Sequence, residues 1–146
     1  TNHRNGQYLT PFCLSMLIAQ LQGQDLIAKA QTLDTVRVSD ECCGSGSMLI
    51  AMANFAKDNG INYQRKLIFL GQDIDWFMGL SCYIQLSLLG CSGFIRIADT
   101  LKDPIGNADF MSGNVWVFPM SKIQLPRKEG CLVNQEELEN DRKEIA

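Results

Sequence analysis

Asp40-Glu41-Cys42-Cys43-Gly44-Ser45-Gly46 is the stretch that decides the fold. Before it, Thr35-Val36-Arg37-Val38-Ser39-Asp40 is a short β-branched run that reads as a strand. After it, from Ser47 to Asn59, the residues Met48, Leu49, Met52, Phe55 and Ala56 share one helical face, closed by Asn59-Gly60. A strand that ends in a carboxylate, turns through glycines and starts a helix is the ligand corner of an open α/β sheet. The glycines let the backbone approach a ligand where any Cβ would collide. The helix N-terminus beyond them offers N–H groups to a negatively charged group.

The alternation continues on both sides. Lys66 to Gly71, with Leu67, Ile68, Phe69 and Leu70, is a continuous apolar run that suits a strand buried on both faces. Trp76 to Leu89 reads as an apolar helix stopped by Gly90, and Phe94 to Asp99 as a third strand. Val115 to Phe118 is a fourth strand, stopped by Pro119. Upstream, residues 12–22 carry Leu14, Leu17, Ile18 and Leu21 at helical spacing, with Thr10 as N-cap and Pro11 in the first turn. The polar stretch 22–25 ends that helix, and residues 25–33 read as a short second helix or a loop. Asn134 to Ile145 reads as a charged terminal helix with Asn134 and Glu137 as a capping box. The order predicts a three-layer, Rossmann-like α/β fold, a parallel sheet with helices on both faces. It divides into an N-terminal helical segment (1–34), a cofactor-binding domain (35–126) and a charged C-terminal segment (127–146).

The chain has 146 residues, 46% hydrophobic and 20% charged, which is ordinary for one globular domain with a real core. No apolar stretch approaches the roughly 20 residues of a membrane span, and the N-terminus has no secretory pattern, so a cytoplasmic protein is expected. The first residue is not Met, which reads as a trimmed chain. Cys42 and Cys43 are adjacent, Cys13, Cys82, Cys91 and Cys131 are scattered, and His3 is the lone histidine. That pattern predicts reduced thiols and no metal site. A net charge of −3 argues against a self-sufficient nucleic-acid binder. The basic cluster Pro126-Arg127-Lys128 is too small, so a nucleic-acid target requires a partner or a local patch.

Three strands end in carboxylates: Asp40, Asp73 and Asp99. Short polar residues are common where strands stop, but the three also suit positions around a nucleoside. Asp73, in Gly71-Gln72-Asp73-Ile74-Asp75, is placed to accept both ribose hydroxyls, worth about 1.5–3 kcal/mol for a charged hydrogen bond. It also repels a ribose phosphate. A Walker loop would need Lys after its glycines, where Ser47-Met48 stand, and a dinucleotide fingerprint would need a third glycine where Leu49 stands. The remaining match is a nucleoside with an uncharged linker, such as S-adenosylmethionine.

Gly6-Gln7-Tyr8-Leu9-Thr10-Pro11 resembles the Gly-x-aromatic-x-Thr-Pro motif of adenine-specific DNA methyltransferases. Asp40 to Gly46 is similar to their Asp-Pro-x-Cys-Gly-Ser-Gly, Gly71-Gln72-Asp73 to their ribose motif, and Ala98-Asp99-Thr100-Leu101 to their Gly-Asp-Thr-Leu. Leu88-Leu89-Gly90 resembles the end of their second helix. The resemblance spans residues 6–101 and is nearest to the modification subunits of type I restriction systems. It implies S-adenosylmethionine as cofactor. Tyr8, Thr10 and Pro11 would border its methionine end, and Asp40, Cys43, Gly44 and Gly46 would form the loop beneath it. Asp73 would hold the ribose, Gln72 and Ile74 would flank the adenine, and Asp99 would accept from the adenine amino group. Glu41 for proline, Asp73 for the more frequent Glu, and Ala98 for glycine depart from the pattern.

The resemblance further implies methyl transfer to the N6 amine of adenine in DNA, in a restriction-modification or mobile-element system and through a recognition subunit. The reacting motif of such enzymes, Asn-Pro-Pro-aromatic, has Phe118-Pro119-Met120-Ser121 as its nearest counterpart here. Pro119 is kept, whereas the amide and the terminal ring are not. Asn114 and Trp116 stand close by, amide for amide and ring for ring, although both also read as plain strand residues with Trp116 in the core. Loss of one preorganised polar group can cost roughly 10²–10³ in rate. The alternative expectation is therefore a catalytically inactive S-adenosylmethionine-binding module or regulatory subunit. The sheet is also expected to be truncated, with an uncovered edge that favours a homo-oligomer or a partner.

Overall fold

The computed structural model describes residues 8–108 and 113–121. The expected helix over 134–145, Gly6, Gln7 and the basic cluster at 126–128 lie outside the described residues. The elements run α1 (Phe12–Thr32), β1 (Val36–Asp40), α2 (Ser47–Asp58), α3 (Tyr63–Lys66), β2 (Leu67–Asp73), α4 (Trp76–Leu88), β3 (Ser92–Ile97) and β4 (Val115–Val117), with a 3-10 turn at Ile105–Asn107.

The four strands form one sheet in the order β1-β2-β3-β4. Strands β1, β2 and β3 are parallel, with Asp40 beside Gly71 and Asp73 beside Ile97. The architecture is mixed α/β, as the alternation predicts. The fourth strand departs from a parallel sheet: β4 runs antiparallel to β3, pairing Ile95 with Trp116 and Phe94 with Val117.

Both crossovers, β1-α2-β2 and β2-α4-β3, step the same way across the sheet. Right-handed connections then put α2 and α4 on one face. The contacts agree, since α4 packs on β2 and β3, α2 reaches β1, and Gly46 at the start of α2 abuts Cys82 of α4. Leu49, Ala53 and Ala56 of α2, Cys82 and Leu86 of α4, and Leu67, Phe69, Ile95 and Ile97 of the sheet make the core. On the other face Arg37 and Ser39 are exposed and Ile68 and Leu70 half-buried. A loop covers its upper part, and lower down Ser92 and Phe94 of β3 are buried as well. Gln72 Nε2 donates to the carbonyls of Ala98 and Asp103, and the Arg96 guanidinium binds Asp103 and the Pro104 carbonyl. Among the described residues α2 and α4 form a helical layer on one face of the sheet.

α1 is one continuous helix, not a helix broken at 22–25. Its residues Ala19, Leu26 and Ala30 join the same core as α2. Gly23, a poor helix former by about 1 kcal/mol against Ala, stays helical because the Phe55 ring of α2 fills the place of its missing side chain; a Cβ there would overlap the ring. The cap is also one residue later than the sequence suggests. Pro11 is the N-cap, its carbonyl accepting from Leu14 and Ser15, and Thr10 makes no cap.

Candidate functional site

A cleft of about 550 Å³ opens at the C-terminal ends of β1 and β2, lined by Tyr8, Leu9, Cys42, Gly44, Asp73, Ile74, Asp75 and Met78. This is where ligands of parallel α/β sheets bind. Its floor is the turn between β1 and α2. Cys43 donates its backbone N–H to the Gln72 carbonyl at 2.9 Å, and Gly46 donates to the Cys43 carbonyl at 2.8 Å. The Ser45 carbonyl is held by Gln85 Nε2 at 2.7 Å and the Glu41 carbonyl by Thr100 Oγ1 at 2.7 Å. The turn is thus tied to β2, to α4 and to the loop after β3.

Two glycines shape it differently. Gly46 has φ +94, and a Cβ there would lie 2.8 Å from Cys82 Sγ, so the close approach of α4 requires glycine. Gly44 has φ +52 and nothing within 4 Å of where a Cβ would be; that space belongs to the cleft.

Asp73 is the centre of the arrangement. Its Oδ2 accepts from the Gly44 N–H at 2.8 Å, its Oδ1 from the Asp75 N–H at 2.8 Å, and its carbonyl from Ala98 N–H at 3.0 Å. A carboxylate has about four lone-pair sites, so two remain for hydroxyl donors in the cleft. Asp75 caps α4 by accepting from Met78 N–H at 3.0 Å. Asp40 closes β1, its Oδ1 accepting from Cys42 N–H at 3.1 Å. Burial raises the Asp40 carboxyl above its ordinary range. The Cys42 hydrogen bond opposes that, while the Asp73 and Glu41 carboxylates add to it. Beneath the floor, Cys43 Sγ donates to the Gly44 carbonyl at 3.7 Å, with the Cys82 thiol as its neighbour. The Cys82 thiol first, and burial second, push the Cys43 thiol up. Cys91 is pushed up to about 12, mainly by burial.

Of the residues expected around a cofactor, the structure brings Tyr8, Gly44, Asp73 and Ile74 to the cleft wall, with Asp40, Cys43 and Gly46 in the turn beneath. Thr10 and Pro11 are exposed at the start of α1, and neither lines the cleft. Gln72 is elsewhere: its side chain is 0% exposed and points to the opposite face, where it holds the 98–103 loop. Asp99 makes a turn of its own, Oδ1 accepting from Leu101 N–H at 3.1 Å and Oδ2 pairing with Lys102 at 3.4 Å. Leu9, Cys42, Asp75 and Met78 line the cleft without having been singled out by sequence. For Asp75 a signal existed, an Asp immediately before an apolar helix.

The three expected catalytic residues are separated. Asn114 stands at the cleft end of the sheet, its carbonyl accepting from Ile97 N–H at 2.8 Å. Trp116 is mid-strand, edge-on to Trp76 and Tyr83 with ring centroids 6.1 and 5.7 Å away, as a packing residue. Pro119 is at the far end, because β4 runs antiparallel and Phe118 N–H reaches Gly93 O. Gly93 and Ala98 are five residues apart along β3, roughly 16 Å at strand rise. The stretch 118–121 therefore does not approach the cleft.

A family model for N-6 DNA methylases matches residues 1–121, which includes every element described above. The chain belongs to the N-6 DNA methylase family. No curated protein matches it. In this N-6 DNA methylase the cleft lies over the glycine turn, at the C-terminal ends of β1 and β2. Among the described residues of this family member, no group of three or more His, Cys, Asp or Glu could hold a metal ion. No helix among them is long and apolar enough to cross a membrane.

Proposed function

We propose that the chain binds S-adenosylmethionine in the cleft between the 41–46 turn and the start of α4, and acts in methyl transfer to N6 of adenine in DNA. The single observation that carries this reading is the Asp73 carboxylate on the cleft wall, beside a glycine amide it already binds. The residues fit the group. Asp73 supplies acceptors for ribose hydroxyls, Ile74 and Met78 supply apolar surface for an adenine ring, and Gly44 leaves backbone room beneath. Asp73 and Asp75 line the space, with Asp40 in the turn beneath, and this concentration of carboxylates suits a sulfonium cation and disfavours a phosphorylated nucleotide. When bound, the cofactor supplies an electrophilic methyl group.

The chain's own part is to bind and orient. The adenine amine is a weak nucleophile because its lone pair is delocalised into the ring, and a polar acceptor for its hydrogens localises that pair. Asn114 is the proposed acceptor, since of the three expected catalytic residues it stands at the cleft end. With a formal charge of −3, DNA contact is proposed to rest on a recognition partner. The test is transfer of labelled methyl from S-adenosylmethionine to unmethylated DNA by the full chain, with Asn114→Ala as the control. Transfer that Asn114→Ala abolishes supports the reading. Cofactor binding without transfer, with and without added partner, removes the chemistry from it.

A further inference from the structure

Resting on that cofactor site, we infer that Asp73 also serves as the positioning residue of the glycine turn, and that the length of its side chain is what makes this feasible. The turn begins at Asp40, whose carboxyl is pushed up first by burial and further by repulsion from the Asp73 and Glu41 carboxylates. A tie must offset this repulsion. The backbone bond from Cys43 N–H to Gln72 O is one. The other is the Gly44 N–H on Asp73 Oδ2, a charge-assisted bond at 2.8 Å. The opposite oxygen is fixed from its own side by Asp75 N–H, two residues along, also at 2.8 Å. The carboxylate is therefore held between β2 and the turn and cannot swing away, with the lone pairs that remain directed to cleft donors.

Only a side chain of one methylene reaches both amides. Binding a backbone N–H two residues ahead is the short-range habit of Asp and Asn. Glu in its place would keep the charge and the capacity to accept from a ribose, yet carry the carboxylate one bond further out, beyond the Asp75 amide. The stretch Gly71-Gln72-Asp73 thus has Asp for a reason internal to this chain, and the floor of the cleft is set by the same atoms that would bind the ribose.

The experiment reads amide exchange at Gly44 by NMR in the ligand-free full chain, for the parent, Asp73→Asn and Asp73→Glu, with β2 amides Leu67 to Leu70 as internal reference. Affinities for S-adenosylmethionine and its 2′,3′-dideoxy analogue, which has no ribose hydroxyls, are measured alongside. Gly44 exchange is expected to rise about tenfold or more in Asp73→Glu relative to the reference amides, and less in isosteric Asp73→Asn, which keeps one acceptor oxygen. Affinity for the dideoxy analogue is expected to fall in Asp73→Glu even though it offers Asp73 nothing to bind. Unchanged Gly44 exchange and unchanged dideoxy affinity, with weakened S-adenosylmethionine binding, would overturn the inference and leave Asp73 as a ribose acceptor alone. If the parent binds neither compound, the cofactor reading fails, and Gly44 exchange still decides whether Asp73 holds the turn.

Discussion

Phe118 donates its backbone N–H to the Gly93 carbonyl at 3.0 Å, at the end of the sheet opposite the cleft. This bond and the antiparallel register fix where the segment after Trp116 goes. Ser121 adds to it, its hydroxyl bonded to Gly93 at 2.6 Å from the N–H and 3.0 Å to the carbonyl. The segment closes the bottom of β3 and is remote from the cleft.

Pro119→Ala is accordingly expected to leave S-adenosylmethionine affinity within about twofold of the parent by calorimetry. Ser121→Ala, which leaves a buried Gly93 N–H without its partner, is expected to cost about 1–3 kcal/mol of stability in chemical denaturation, again with little effect on affinity. A large affinity loss in a folded Pro119→Ala protein would mean that residues 118–121 reach the cleft.

The two turn glycines are expected to separate stability from binding. Gly46→Ala meets both a left-handed φ and the Cys82 sulfur, and should destabilise by roughly 2 kcal/mol or more. Gly44→Ala meets only the φ penalty, roughly 1 kcal/mol, but places a methyl in the cleft and should weaken cofactor binding well beyond that. Urea denaturation and calorimetry on both variants decide it; the reverse ranking would contradict the geometry.

Asp40 gives a pH dependence with a definite sign. Its folded-state pKa is raised by burial, so its contribution to stability is fully present below the ordinary carboxylate range near about 4 and is lost as pH rises through the raised value. Ionised Asp40 is thus a cost at neutral pH. Asp40→Asn, whose amide oxygen still accepts from Cys42 N–H, is expected to raise Tm by a few degrees at pH 7.5 and by less at pH 4. An equal shift at both values would show that the charge is not the cause. Cofactor affinity should fall in the same variant, since stability is sacrificed at sites kept for binding.

Thiol reactivity should follow burial. Cys43 and Cys91 are buried with raised pKa, and both should resist a thiol reagent at pH 8, whereas Cys42 is exposed on the cleft wall and should react. S-adenosylmethionine should protect Cys42 and leave exposed Cys13 unaffected. Mass mapping of the labelled chain checks this, and labelling of Cys42 at an unchanged rate under saturating cofactor would place the ligand elsewhere.

Much of the fold was legible in the residues. The β-branched run before Asp40 and the apolar run before Gly71 became β1 and β2, and Asn59-Gly60 and Gly90 ended α2 and α4 as their chemistry requires. What was not legible depends on contacts between distant residues. Gly23 and the polar residues around it read as a helix end, and only Phe55 from α2 explains why the helix continues. Val115-Trp116-Val117 reads as a strand, but three residues carry no record of direction; that is set by pairing with β3. Gln72 lies next to Asp73, yet the strand period of two sends its side chain to the opposite face. Asp73, in contrast, was readable as the carboxylate that ends β2, and it lines the cleft, though its bond to Gly44 across 29 positions was not legible.

The most direct measurement is titration calorimetry of the full chain with S-adenosylmethionine, beside Asp73→Ala. Saturable binding to the parent, weakened about tenfold or more in the variant, is the expected result. Absence of heat and of any thermal shift at millimolar cofactor, in a folded parent protein, would contradict the assignment of this cleft.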